Sequence, residues 1–224
     1  MTPPHNASPP RGGAFNTGAV SLNAPARGRG GGATLHVCPV VLAGGLSSRM
    51  GQDKALLKLS NGRTLLEQAK SQFAQMREID GIKWMPTLVS GRRPGGIPDQ
   101  VDAAGPLGGL QAVYRHLQQS DRPCDALLVA PVDMPLLSPG LLQRLCVAGQ
   151  SVEQAVCYGN HYLPCWLPLG QRCRNYLDAA AAGNAIASMR ALFGFIGCMQ
   201  LPTPEGDWHL NLNRPEDYQR FRGD

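Results

Sequence analysis

The sequence lacks the features of a membrane-spanning, exported or nucleic-acid-binding chain. No window approaches the run of about 18 apolar residues that a spanning helix needs, and the amino terminus has no apolar block of a signal peptide. Outside residues 1–34, 18 basic side chains are nearly balanced by 16 acidic ones, so no clustered cationic excess is present for a phosphate backbone. We therefore expect a soluble, cytoplasmic protein that binds small anions, with neither nucleic acid nor membrane as a partner.

The sequence also lacks a Cys-x-x-Cys pair and any internal repeat. Its seven cysteines are scattered, and an odd number cannot be fully paired within one chain. Scattered cysteines of this kind indicate reduced, buried thiols in a cytosolic protein.

Residues 1–34 have little apolar surface to bury. They contain seven Gly, five Pro, three Arg and no acidic residue, a composition that cannot offset the entropy of ordering. We predict a disordered arm over 1–34, followed by one catalytic domain over 35–224. A basic, acid-free arm is also compatible with an organelle transit peptide, although it has little Ser and no amphipathic stripe.

Strands and helices alternate in the first half of the domain. Leu35–Ala43 is a continuous apolar run, as expected of a strand that is buried on both faces. The pattern continues with a helix from the capping box at Thr64 to about Arg77, a strand at Pro86–Ser90, a helix from Pro106 to about Gln119, a strand at Asp125–Val132 and a helix from Ser138-Pro139 through Val147. This alternation predicts a parallel α/β sheet with right-handed connections and helices on both faces.

The second half has a weaker pattern. It predicts a hairpin of Gln154–Tyr158 and Tyr162–Leu167 around Gly159-Asn160, short helices near 170–182 and 185–193, a last strand at Phe195–Leu201 and a closing helix from Arg214.

A glycine-rich segment, Leu42 to Lys54, directly follows the first strand. Ligands of open parallel sheets bind outside the carboxyl ends of the strands, and glycines there let backbone N–H groups converge on phosphate oxygens. Arg49 and Lys54 would add positive charge. The segment matches neither Gly-x-Gly-x-x-Gly nor Gly-x-x-x-x-Gly-Lys-Ser/Thr. On the spacing of its glycines alone, an ordinary surface loop is therefore the alternative to a phosphate-binding loop.

This segment resembles the signature of the molybdenum cofactor guanylyltransferases, in which Leu-Ala-Gly-Gly leads to Arg-Met-Gly and Asp-Lys. Three later stretches resemble the same family in the same order: Gly105–Leu110, Pro131–Pro135 and Asn211–Asp217. The resemblance spans roughly residues 37 to 220 and leaves out only the arm.

The resemblance implies a three-layer, mostly parallel, Rossmann-like nucleotidyltransferase sheet. It also implies an enzyme that transfers GMP from GTP to the phosphate of molybdenum-molybdopterin, with Mg²⁺ as cofactor. Molybdenum-insertion proteins and molybdoenzyme chaperones are further expected partners.

The residues carried over from the family fall into three groups. The nucleotide-binding set is Leu42, Ala43, Gly44, Gly45, Lys54, Asp99 and Asp133; the catalytic set is Lys54, Arg49 and Asp133; and Asp133 is the metal ligand. Asp102 competes with Asp99 for its place. Ser90 departs from the Asn that the family often has there, which puts a specific base or ribose contact at this position in doubt.

The sequence leaves open the roles of several other residues and the nucleotide that is transferred. Asn211 and Asn213 either line the crevice or serve as ordinary turn residues, and His161 receives no role. Cytidylyl transfer to the same pterin, uridylyl transfer to a sugar phosphate, and a non-catalytic GTP-binding adaptor are the alternative functions.

Overall fold

The computed structural model describes residues 34–44, 53–99, 105–120 and 122–222. Within these residues, seven strands form one mixed sheet that is flanked by six α-helices. The strands are β1 Leu35–Leu42, β2 Ile82–Trp84, β3 Leu88–Ser90, β4 Ala126–Pro131, β5 Ala155–Tyr158, β6 His161–Pro168 and β7 Cys198–Leu201. The helices are α1 Leu65–Ala74, α2 Gly105–Gln119, α3 Pro139–Gly149, α4 Gln171–Ala181, α5 Met189–Ile196 and α6 Pro215–Arg222.

The sheet has the strand order β2-β1-β4-β6-β5-β7, and β3 also pairs with β1. β2, β3 and β4 all run parallel to β1, and β7 runs parallel to β5. Among the described strands, only β6 runs antiparallel to both of its neighbours, β4 and β5. The carboxyl ends of β1, β3, β4 and β5 therefore lie at one edge of the sheet, together with the amino end of β6.

Two core layers cover the faces of this sheet. Side chains alternate along β4, where Leu128 joins the layer under α1 and α3, and Leu127 joins the layer under α2, α4 and α5. β1 divides in the same way, with Val41 on one side and Val40 on the other. Alternation with both faces buried is the reason that these strands are apolar throughout. The predicted three-layer, mostly parallel α/β fold is confirmed.

Local signals in the sequence begin the helices where they were predicted. Thr64 and Glu67 form a reciprocal capping box at α1, and hydrogen bonds from Thr64 lower the pKa of the Glu67 carboxyl. Ser138 caps α3, with Pro139 in its first turn. The hairpin turns at Gly159, which has a φ of +48°, so its two-residue loop reverses β6 against β5.

The second predicted strand, Pro86–Ser90, was placed too early, because the observed strand β3 begins at Leu88. The structure places β2 and β3 in succession along the same side of β1, with Met85–Thr87 between them. Pro86 has no N–H to donate to a ladder, which accounts for the break. The last strand begins at Cys198 because Phe195 belongs to α5 and Gly197, at a φ of +88°, ends that helix.

Candidate active site

The carboxyl ends of β1 and β3 are held against each other. The backbone N–H of Ala43 donates to the carbonyl oxygen of Ser90 at 3.2 Å. Gly91 has a φ of +117°, and a Cβ placed on it would lie 2.8 Å from the carbonyl oxygen of Ala43. The backbone after β3 therefore approaches Ala43 so closely that a residue with a side chain would not fit at position 91.

Asp99 lies beside this junction. A Cβ on Gly44 would lie 2.9 Å from Oδ2 of Asp99, so the carboxylate rests against the Gly44 backbone. Asp99 thus lies at the start of the glycine-rich segment, and its contact with a nucleotide stays a prediction. Its competitor Asp102 lies outside the described residues, as do Gly45 and Arg49 and residues 1–33 of the arm.

A basic, an acidic and an amide side chain meet at the ends of β1 and β4. Lys54 begins a short 3-10 helix, Lys54–Leu56, which Asp53 caps by accepting from the Ala55 N–H at 3.0 Å. The Nζ of Lys54 lies 3.3 Å from Oδ2 of Asp133 and donates to Oδ1 of Asn213 at 2.9 Å. The Lys54 and Asp133 side chains are only 17% and 18% exposed, so solvent screens this ion pair less than a surface pair.

The two asparagines have different surroundings. The N–H of Leu212 donates to the carbonyl oxygen of Asp133 at 3.0 Å, which brings the following Asn213 side chain to Lys54. The Nδ2 of Asn211 instead donates to the carbonyl oxygen of His209 at 2.9 Å. Asn213 therefore contacts the Lys54 ammonium, whereas Asn211 makes a local turn contact.

Arg93 is a charged residue at this edge that the sequence pattern did not single out. Its guanidinium donates to the carbonyl oxygen of Ala43, and its Nη1 lies 3.3 Å from Oδ2 of Asp53. The side chain is 10% exposed. Arg93 thus connects the end of β1 to the residue before Lys54. The signal that was available is a cation in Gly91–Gly96, the glycine-rich stretch that follows β3.

Ser90 faces a helix. Its side chain is buried, and its Oγ would lie 2.7 Å from a Cβ on Gly109 of α2. The glycine at position 109 therefore lets α2 pack closely against the Ser90 hydroxyl at the end of β3.

An aromatic group flanks the other side of this edge. The ring of His161 lies 5.1 Å from the rings of both Trp208 and His209, measured between centroids, and Trp208 also contacts Tyr158 at 5.4 Å. Burial lowers the pKa of His161, and the neighbouring His209 lowers it further. Both effects favour the neutral imidazole. Neither Trp208 nor His209 had been recognised from sequence.

The described residues contain neither a membrane-spanning helix nor a cluster of metal-binding side chains. Their helices are too short or too polar to span a lipid bilayer. They also contain no cluster of three or more His, Cys, Asp or Glu side chains suited to holding a metal ion.

The fold defines a structural class. A chain of 18% identity from Archaeoglobus fulgidus, molybdopterin-guanine dinucleotide biosynthesis protein A, superposes with a TM-score of 0.58 over 83% of this chain and 97% of its own. At that identity the likeness establishes the Rossmann-like nucleotidyltransferase fold.

The family follows from sequence. The model of the MobA-like NTP transferase domain matches residues 39–196. The molybdenum cofactor guanylyltransferase of Xanthomonas euvesicatoria is 40% identical over 81% of this chain and 92% of its own. The protein of the same name from Photobacterium profundum is 28% identical over 81% and 93%. The chain therefore belongs to the MobA-like NTP transferases, and it is an enzyme of the nucleotidyltransferase class.

Proposed function

We propose that this enzyme transfers GMP from GTP to the phosphate of molybdenum-molybdopterin, forming molybdopterin guanine dinucleotide and releasing pyrophosphate. The observation that carries the proposal is the meeting of Lys54, Asp133 and Asn213 at the carboxyl edge of the sheet. Relatives that align over most of the chain are named molybdenum cofactor guanylyltransferases.

The reaction is an in-line displacement at the α-phosphorus of GTP. A terminal phosphate oxygen of the pterin forms the new P–O bond, and the bond between the α-phosphorus and the bridging oxygen breaks as pyrophosphate leaves. Such a transfer depends mainly on positioning the phosphates and neutralising their charge. No side-chain nucleophile is required.

Lys54 is suited to that neutralisation. Its ammonium group has three N–H donors, and two of them are directed at Asp133 and Asn213 within the described residues. The third is available to a phosphate oxygen. These two partners hold the ammonium in place before a nucleotide binds, which reduces the cost of ordering a long side chain.

The remaining nucleotide contacts are assigned around Lys54. The backbone of Leu42, Ala43, Gly44 and Gly45 holds phosphate oxygens, Arg49 adds positive charge, and Asp99 contacts the nucleotide. Gly44 and Asp99 lie in contact, so one ligand can reach both. Arg93 holds Ala43 against Asp53, which fixes the two described ends of this segment relative to each other.

Asp133 fits a magnesium ligand. Mg²⁺ commonly takes one or two protein carboxylates and completes its octahedron with phosphate oxygens and water, so a lone carboxylate at the crevice is sufficient. Lys54 contacts Oδ2 of Asp133, while Oδ1 has no such contact described. When bound, Mg²⁺ would supply positive charge to the phosphates of GTP and to the departing pyrophosphate.

We propose that the reaction takes place in the cytoplasm, with GTP and molybdenum-molybdopterin as substrates. Molybdenum-insertion proteins and molybdoenzyme chaperones are the partners proposed to deliver the acceptor and receive the product. The seven cysteines are free thiols in the structure, which suits a reducing compartment.

The decisive experiment adds GTP labelled in its guanosine, Mg²⁺ and molybdopterin to the purified full chain. We expect pyrophosphate release and a labelled dinucleotide in equal amounts, with GTP used in preference to ATP, CTP and UTP. Equal or faster turnover with CTP would assign the enzyme to cytidylyl transfer. Tight GTP binding with no pyrophosphate would contradict catalysis and favour a GTP-binding adaptor.

A further inference from the structure

Two cysteine sulphurs are in contact at the far side of the sheet. Cys157 of β5 and Cys198 of β7 have their Sγ atoms 3.3 Å apart. β5 and β7 run parallel, with Ala155 opposite Cys198 and Cys157 opposite Gln200. Residues two apart on a strand share a face, so the two side chains project to the same side and meet diagonally across the strand pair.

The backbone around the pair is already fixed. Ala155 donates its N–H to the carbonyl oxygen of Gly197 at 3.1 Å, and Gly159 donates to that of Leu201 at 2.9 Å. A disulfide has an S–S length of about 2.05 Å. Closing the 3.3 Å gap therefore requires the two sulphurs to approach by roughly 1.3 Å.

The two thiols differ in accessibility and in acidity. Cys157 is buried, whereas Cys198 is partly exposed. The hydrogen bond from Cys198 lowers the pKa of Cys157, against the effect of burial, and the same contact raises the pKa of Cys198. The contact therefore favours Cys157 as the thiolate of the pair and Cys198 as the thiol.

The other described cysteines are poorer candidates for oxidation. Burial raises the pKa of Cys38 and Cys173 to about 12 and that of Cys124 to about 11. Cys165, which lies opposite Cys157 on β6, is fully buried, and burial raises its pKa well above the usual value. Thiols of this kind are largely unreactive because the thiolate is the nucleophile.

We propose that Cys157 and Cys198 are a redox modification site, a dithiol that a small hydroperoxide converts reversibly to a disulfide joining β5 to β7. The Cys157 thiolate attacks one peroxide oxygen, so an S–O bond forms, the O–O bond breaks and hydroxide leaves. The Cys198 sulphur then attacks the Cys157 sulphur, so the S–S bond forms, the S–O bond breaks and a second hydroxide leaves. Two thiols lose two electrons and two protons, and hydrogen peroxide becomes two waters.

The test treats the reduced full chain, in its native state and at low concentration, with a slight excess of hydrogen peroxide at neutral pH. After denaturation, thiol titration should fall from the seven cysteines of the sequence to five. Mass spectrometry of a digest should find a peptide that joins Cys157 to Cys198, and dithiothreitol should restore all seven thiols. An unchanged thiol count, or a link from Cys157 to Cys165, would overturn the proposal.

Variants separate this pair from general oxidation. Neither Cys198→Ser nor Cys157→Ser can form the disulfide, so each should lose at most the one remaining thiol of the pair and give no cross-linked peptide. Cys146→Ser is the matched control, because Cys146 is buried in the opposite core layer, and it should still lose two thiols. If Cys157→Ser does not fold, Cys198→Ser alone decides the question. Loss of two thiols in a folded Cys198→Ser chain contradicts the assignment.

Discussion

Lys54 and Asp133 carry opposite charges at one site, and their replacement should have different consequences. Asp133→Asn keeps the size of the side chain and removes the charge proposed to anchor Mg²⁺, so turnover should collapse while the melting temperature changes little. Lys54→Ala removes a cation from the phosphates and should reduce turnover roughly ten- to a hundredfold, since a charge-assisted contact contributes about 1.5–3 kcal/mol. Initial rates measured across a Mg²⁺ series distinguish the two.

Raising Mg²⁺ should partly restore Asp133→Asn and leave Lys54→Ala unchanged, because the cation missing from the second variant is not the metal. Asp178→Asn and Lys70→Ala are matched controls on exposed helix positions and should behave as wild type. A wild-type rate for Asp133→Asn at limiting Mg²⁺ would show that this residue is not the metal ligand.

Arg93 should act by holding other groups in position. Arg93→Ala removes the contacts to Ala43 and Asp53 and takes this donor from the carbonyl of buried Ala43, at a cost of about 2 kcal/mol. We expect the melting temperature to fall by roughly 4–8 °C for a domain of this size and the KM for GTP to rise more than kcat falls. Thermal unfolding and steady-state kinetics measure both effects.

Exposed Arg115→Ala on α2 is the control for Arg93. Arg93→Lys should recover part of the stability, because an ammonium can reach one of the two partners but cannot bridge both as a guanidinium does. If Arg93→Ala leaves stability and KM unchanged, the bridge has no positioning role.

Single site residues were predictable from sequence where they lie in a short motif that follows a strand. Lys54 and Asp133 each follow a strand within a recognisable motif, and they meet in the structure. Arg93 was missed because its importance depends on Asp53, which lies 40 positions away in the chain. Trp208 and His209 were missed for the same reason, since their partner His161 is distant in sequence.

At the scale of elements, α3 packs on the sheet through a glycine. A Cβ on Gly149 would lie 2.3 Å from Cδ2 of Trp166, which is buried on β6. Gly149→Ala should force α3 away from the sheet and lower the free energy of unfolding by about 1–3 kcal/mol. Denaturant unfolding monitored by tryptophan fluorescence reports both the stability and the Trp166 environment.

Gly140 in the same helix provides the matched comparison. A Cβ there would approach nothing closer than the Ser138 Oγ at 3.9 Å, so Gly140→Ala should raise stability by about 0.4–1 kcal/mol through the unfolded state. Equal effects of the two substitutions would contradict the packing argument.

Element boundaries were predictable where side chains form them. The capping box at Thr64 and the Ser138 cap are hydrogen bonds between near neighbours, so their sequence signals are complete. β2 was not predicted, because Ile82–Trp84 is three residues long and gains its strand pairing from β1. Short edge strands depend on the partner strand more than on their own pattern.

At the scale of the molecule, the strand order explains where the site lies. From β1 the chain passes to β2 and β3 on one side, and it then returns through α2 to β4 on the other side of β1. Ligands of open α/β sheets bind at such a reversal of strand order. Lys54 follows β1 and Asp133 follows β4, so the ion pair spans this point.

Removal of residues 1–33 should leave the enzyme intact. The arm is rich in Gly and Pro, and the family match begins only at residue 39. A chain that starts at Thr34 keeps all of β1, so we expect its melting temperature and its rate of GMP transfer to equal those of the full chain within error. A chain that starts at Pro39 is the control, because it loses Val37 and Cys38 from the buried core and should fail to fold. A large loss of activity or stability on removal of 1–33 alone would show that the arm contributes to the folded enzyme.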